Sequence, residues 1–309
     1  FSYSDDGGRT WSVPRQSIHS DDRFLWVDPA DSRHIMKASD GALGISYDRG
    51  ETWRWAPNLP VSQYYRVAVD MEQPYNVIGG LQDNGTWIGP NETFRSEGIL
   101  NADWRPVGGG DGFLGLPDPA DPATLYVESQ YLGLMRVVLE TGRAQCIRPG
   151  NPRGDRFVRR IWRLFGSGES AELLEQEMEP ANWDGPYILS PHDPRTLYAG
   201  TQHLWVSRDG GGNWRDLGRM SNEWERSEID IMGQAPGPRT PSLDDGVPYF
   251  ATITVIAESP LREGLLFVGT DDGNVRVSSN RGESWQDAHD RFPGLPPRTW
   301  VQASVGAGQ

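Results

Sequence analysis

Apolar residues in this chain come in short runs, each cut off by Asp, Asn, Gly or Pro. Short apolar runs between turn residues predict strands rather than helices. The runs are ordered. Five times, an apolar strand, a turn and a second apolar strand follow one another: Phe24 to Ala38, Tyr65 to Gly79, Phe113 to Val127, Tyr187 to Ala199 and Thr252 to Val268. The turns include Asp28-Pro29, Asp118-Pro119, His192-Asp193-Pro194 and Ser259-Pro260. Proline removes a ladder donor and presets a turn, so each marks a break between strands.

A second element alternates with the first. The octapeptide Ser-x-Asp-x-Gly-x-Thr-Trp occurs at Ser4 to Trp11 and Ser46 to Trp53, with looser copies at Ser207 to Trp214 and Ser278 to Trp285. This is the chemistry of a tight hairpin. The Asp or Asn side chain caps the turn, Gly takes a positive φ, and Trp starts the next strand and packs inward. Joined, the two elements give four strands per unit, here A to D. The first units repeat at 42 and 48 residues, from Asp28 to Asp70 to Asp118. Four-stranded units of that length predict the blades of a β-propeller. Five full blades are expected. Phe1 to Val13 reads as strands C and D of a preceding blade, and Thr299 to Ser304 as strand A of a following one. The whole of 1–309 is then a single propeller or an arc of a larger one, and the arc is preferred. Two insertions, 150–180 and 217–245, break the rhythm.

The octapeptides are Asp-boxes, and the chain resembles the BNR/Asp-box propeller superfamily over nearly its whole length outside the insertions. The stretch Gln63-Tyr64-Tyr65-Arg66-Val67-Ala68-Val69-Asp70, followed by Gly79 to Trp87, is most similar to large bacterial propellers. Gly108 to Gly112 and Gly269 to Asn274 fit the same group. Those propellers are related to the sortilin ligand-binding domain and to xyloglucan-hydrolysing glycosidases. The resemblance therefore implies an all-β propeller, an extracellular or periplasmic location, and either ligand binding or glycoside hydrolysis.

Composition narrows this. Thirty-seven glycines and 24 prolines argue against a helical bundle. Net charge of −14 argues against nucleic acid as a partner. No apolar run approaches the roughly 18 residues of a membrane span. One cysteine, Cys146, excludes an intramolecular disulfide and a cysteine-rich zinc site. The five histidines lack metal-ligand spacing, no complete calcium loop is present, and neither a metal nor another cofactor is expected. There is no Gly-x-Ser-x-Gly elbow and no phosphate-cradling loop.

In a propeller the A–B and C–D connections share one face, and B–C and D–A connections share the other. The Asp-box aspartates are therefore read as structural. Candidate ligand contacts come from the second face: Gln82, Asp83, Asn84, His203, Asp271 and Asp272 on B–C turns, and Gln63, Tyr64, Trp183, Tyr249 and Trp300 on D–A loops. Aromatic rings cover the apolar faces of sugars and carboxylates accept hydroxyl hydrogen bonds, so this lining suits a glycan. It also suits a peptide. Further propeller blades or domains of the parent chain are the other expected partners. If the chain is an enzyme, the candidate catalytic carboxyls are Asp111, Asp184 and Asp245, one from each of three D–A loops, because glycoside hydrolysis needs a carboxyl pair. In the first insertion, basic Arg153 to Arg163 and acidic Glu169 to Glu179 are expected to pair over the mouth.

Overall fold

A computed structural model describes residues 2–13, 21–56, 61–150, 179–222, 224–231, 233–240, 243, 249–294 and 300–302. The expected pairing of 153–163 with 169–179 thus lies outside the described residues, as do Asp245 and part of the terminal strand expected at 299–304.

Among the described residues, twenty strands form five antiparallel sheets, each a four-stranded meander. Blade one holds β1 (Asp22–Val27), β2 (Ile35–Ser39), β3 (Leu43–Ser46) and β4 (Arg54–Trp55). Blade two holds β5 (Tyr64–Val69), β6 (Asn76–Leu81), β7 (Gly85–Pro90) and β8 (Arg105–Gly108). Blade three holds β9 (Gly115–Asp118), β10 (Asp121–Val127), β11 (Met135–Val138) and β12 (Arg143–Cys146). Blade four holds β13 (Tyr187–Leu189), β14 (Leu197–Gly200), β15 (His203–Ser207) and β16 (Arg215–Arg219). Blade five holds β17 (Ile253–Glu258), β18 (Leu266–Thr270), β19 (Val275–Ser278) and β20 (Gln286–Asp287). The fold is the all-β propeller that the repeats predict. The preceding hairpin pairs Tyr3 with Ser12. The second insertion begins after β16 and carries only a short helical turn and an isolated bridge among its described residues.

Neighbouring blades are joined by clusters that use both faces of the B strands. In β10, Leu125 and Val127 pack with Ile78 and Ile88 of blade two. Tyr126, between them, packs with Leu197 and Ala199 of blade four. In β14 the alternation repeats, with Tyr198 turned to Ile253 and Ile256 of blade five. Successive strand residues point to opposite faces, so a B strand sandwiched between two blades must be apolar throughout. Burying each such side chain contributes roughly 1.5–3 kcal/mol. Among the described residues no such cluster joins blades one and two.

The Asp-boxes superimpose in their bonding. Ser46 Oγ donates to Asp48 Oδ1 (2.8 Å), Gly50 N donates to Ser46 Oγ (2.8 Å), and Thr52 N and Oγ1 donate to Asp48 (2.9 and 2.5 Å). The Ser278 box repeats the bonds to Ser278, Asn280 Oδ1 and Gly282 N, but its last bond is reversed, with Asn280 Nδ2 donating to Ser284 Oγ (2.9 Å). Gly50 and the residue before it, Arg49, both adopt positive φ (87° and 64°), which makes the glycine necessary. Hydrogen bonds from Thr10 and Ser4 hold the Asp6 carboxyl down at about 2, and those from Asn213 and Ser207 hold Asp209 at about 2.

The box tryptophans join blades. Trp214 Nε1 donates to Ile147 O of blade three (2.7 Å), and Trp285 Nε1 to Leu217 O of blade four (3.2 Å). Inward packing fails for Trp11, which remains 66% exposed on its isolated hairpin. The innermost strands also divide. Phe24, Leu25 and Val27 of β1 and Tyr65, Val67 and Val69 of β5 are exposed, whereas Tyr187 of β13 and Ile253 of β17 are buried.

Candidate functional site

Where the blade-one/blade-two cluster is missing, a groove of about 810 Å³ opens. Its polar lining comes from the B–C turns, with Asp40, Gln82, Asp83 and Asn84, and from Gln63 on the connection into β5. Its aromatic lining is Trp55, Tyr64, Trp87 and Trp104. Five of the expected ligand contacts, Gln63, Tyr64, Gln82, Asp83 and Asn84, therefore share one concavity. The aromatic rings are set by local sequence. Tyr64 lies over Gly79 on the paired strand, where any Cβ would collide with its ring. Trp104 lies over Gly89 in the same way. Trp87 is anchored through Nε1 to Asn84 O (2.7 Å). It sits in strand C of its blade rather than closing a C–D hairpin.

Acids gather at the top of the groove. Carboxylate oxygens of Asp21, Asp40 and Asp83 lie within 4.8 Å of one another. Arg23 is the local cation, donating from Nε and from its terminal NH₂ to Asp40 (2.9 and 2.6 Å). The hydrogen bond and charge of Asp40 raise the Arg23 pKa, and Asp21 and Asp83 add to this.

The remaining expected residues have other surroundings. Asp111 is buried and both its oxygens accept hydrogen bonds, from Asp83 N (2.6 Å) and Gln130 Nε2 (3.0 Å). It ties the B–C turns of blades two and three together, with Asp83 held at φ 60°. Asp271 plays the matching part further round. It accepts from Thr252 N (2.8 Å) and Thr252 Oγ1 (2.7 Å), and Asn182 Nδ2 donates to Thr252 Oγ1 (3.2 Å). Burial, reinforced by the charge of Asp272, pushes the Asp271 carboxyl up to about 6 against the Thr252 hydrogen bonds. Asp272 reproduces an Asp-box on the opposite face: Thr270 Oγ1 donates to its Oδ1 (2.5 Å) and Asn274 N to Thr270 Oγ1 (2.9 Å). Burial raises its pKa, the reverse of the exposed Asp6.

Trp183 and Tyr249 stand edge-on to Tyr131, each with ring centroids 5.1 Å apart, in an aromatic wall that continues to Phe113 and Tyr65. Asp184 is ion-paired with Arg66 at 2.5 Å. His203 pairs through Nδ1 with Asp216 (2.8 Å) and stacks on Trp205, apart from the groove lining. Trp300 is 48% exposed beside Val301, whose amide donates to Thr270 O (3.0 Å). The structure thus gathers one group of expected residues, sets Asp111, Asp271 and Asp272 in polar contacts between turns and Trp183 and Tyr249 in an aromatic wall, and leaves Asp184, His203 and Trp300 elsewhere. The residues that sequence reasoning missed are Trp55 and Trp104, because a groove between blades has no pattern of its own, and Glu128. Glu128 follows the apolar run Leu125-Tyr126-Val127 and is buried with it.

Comparison with known proteins gives one short family match and distant structural likenesses. A family model described as BNR/Asp-box repeat matches residues 2–13. Among solved structures, the GH74 xyloglucanase from Xanthomonas campestris is 18% identical, with TM-score 0.41 over 84% of this chain and 36% of that one. The GH74 enzyme of Niastella koreensis is 13% identical, with TM-score 0.42 over 86% of this chain and 38% of that one. An auxiliary nutrient binding protein from Bacteroides thetaiotaomicron is 11% identical, with TM-score 0.39 over 86% of this chain and 56% of that one. This chain spans little more than a third of the length of the two GH74 chains. No curated protein matches it. With its five four-stranded sheets, the chain is a β-propeller, and the BNR/Asp-box match falls on its first hairpin. No helix among the described residues is long and apolar enough to cross a membrane.

Proposed function

We propose that this propeller is a glycan-binding module, extracellular or periplasmic, with its ligand lying in the groove between blades one and two. The observation that carries the reading is the lining: four aromatic side chains beside Asp40, Gln63, Gln82, Asp83 and Asn84. Aromatic faces take the C–H faces of sugar rings, and carboxylates and amides take the hydroxyls. Binding is favoured over hydrolysis because both Asp111 oxygens are already used by the fold. The exposed apolar faces of β1 and β5 support the arc reading, in which further blades of the parent chain continue the ring.

The test is a binding screen of soluble neutral polysaccharides and of peptides by affinity electrophoresis and calorimetry, coupled to a reducing-sugar assay. The expected result is retention by a polysaccharide, without sugar release, weakened roughly tenfold by Trp55→Ala, since about 1.4 kcal/mol of lost stacking is a factor of ten. Leu261→Ala, at an exposed position away from the groove, should bind as the wild type does. Retention of peptides alone would overturn the glycan reading.

A further inference from the structure

Glu128 follows β10 at the mouth of blade three. Its amide donates to Leu114 O (3.1 Å) and its carbonyl accepts from Phe113 N (3.3 Å). Its side chain is buried, and Oε1 has no hydrogen-bond partner. The Gly185 amide, one residue on from Asp184, donates to its carboxyl group, and Asp184 forms a 2.5 Å ion pair with Arg66. Arg66 belongs to the innermost strand of blade two, and Asp184 to the loop entering blade four. The pair therefore spans blade three, and blade three supplies Glu128. The Arg66 charge acts on both carboxyl groups.

Three groups act on Glu128 from the elements packed against it: Arg66 from β5, Asp184 from the loop before β13, and Tyr187 from β13. The Tyr187 hydroxyl is committed to Tyr126 O (2.8 Å) and Leu114 O (3.1 Å). Burial first, then the charge of Asp184, raise the Glu128 pKa well above its ordinary value, with Arg66 and the Gly185 amide opposing. A carboxylate at this depth must find a cation or a donor. Among the described groups acting on it, Arg66 is the cation.

We propose that Glu128 is a proton-operated latch on the propeller mouth. Protonated, it leaves Arg66 bridging blades two and four; ionised, it draws Arg66 from Asp184 and loosens the loop that carries Trp183. Trp183 would register the change, because its carbonyl accepts from Tyr131 N (3.0 Å) and its ring rests on Tyr131. Loosening the loop alters the aromatic wall of Tyr131 and Tyr249. The latch is independent of the groove and stands whether or not the groove binds a glycan.

The experiment is a pH titration of the whole chain labelled with fluorotryptophan, followed by ¹⁹F NMR, with Trp183→Phe assigning the Trp183 signal. Asp271→Asn serves as the background, which removes the buried carboxyl that accepts from Asn182, the residue before Trp183. The expected result is a Trp183 transition with a midpoint above the ordinary glutamate value of about 4.3. It should vanish in Glu128→Gln, and also in Asp184→Asn, where no ion pair is left for Glu128 to break. A Trp183 transition unchanged in Glu128→Gln overturns the latch. Should Glu128→Gln fail to fold, Asp184→Asn decides: loss of the Trp183 transition supports the latch, and a transition of unchanged size overturns it.

Discussion

Replacing Asp271 with Asn isolates the cost of burying a carboxyl in the polar seam. Asp271 titrates at about 6 in the fold against 3.8 for the free group, chiefly through burial. A raised acid pKa means that the folded state binds more protons than the unfolded state between those two values. Stability therefore falls as pH rises from 3.8 to about 6, and is level above that. A shift of about two units corresponds to roughly 3 kcal/mol. Asparagine matches the neutral acid in shape. Its carbonyl oxygen can accept from Thr252 N, and its NH₂ can donate to Thr252 Oγ1, the two atoms that Asp271 contacts now. Urea unfolding of wild type and Asp271→Asn across about pH 4 to 8 reads the difference directly. The two should be nearly equal at the acid end. The variant should gain up to about 3 kcal/mol at the alkaline end, with the change confined to the interval between the two pKa values. A difference that does not vary with pH, or a variant less stable throughout, would refute the reasoning.

Three further outcomes follow from the geometry. Asn280→Asp restores the acidic box residue, and should stabilise blade five at neutral pH. By analogy with Asp6 and Asp209, whose carboxyls are held at about 2, that gain should be lost as pH falls from 3.8 towards about 2, as thermal melts would show. Trp285→Phe keeps a ring against the blade-four/five cluster but deletes the bond to Leu217 O, so it should cost about 1 kcal/mol in chemical unfolding. Gly79→Ala places a methyl group where the Tyr64 ring lies. It should weaken groove binding in calorimetry while leaving the circular dichroism spectrum of the fold unchanged.

The blades were legible in the sequence because each rests on local chemistry. Asp48, Gly50 and Thr52 make their turn within eight residues, and Leu125-Tyr126-Val127 is apolar because both faces are covered. The placement of Gln82, Asp83 and Asn84 on the B–C turn of blade two was legible as well. What escaped is long-range. Asp111 looks free on its glycine-rich loop, and only the fold brings Gln130 and the Asp83 amide to it. The Arg66–Asp184 pair joins residues 118 apart in sequence. Trp55 resembles any strand tryptophan until the gap between blades one and two is seen.

The central claim is that a glycan lies in that gap. Its most direct test is ¹⁹F NMR of the fluorotryptophan-labelled chain titrated with the oligosaccharide that the binding screen selects. The signals of Trp55, Trp87 and Trp104, which line the groove, should shift together and saturate. Those of Trp214 and Trp285, bonded between other blades, should stay still. Saturable binding that leaves the three groove signals unmoved would contradict the account.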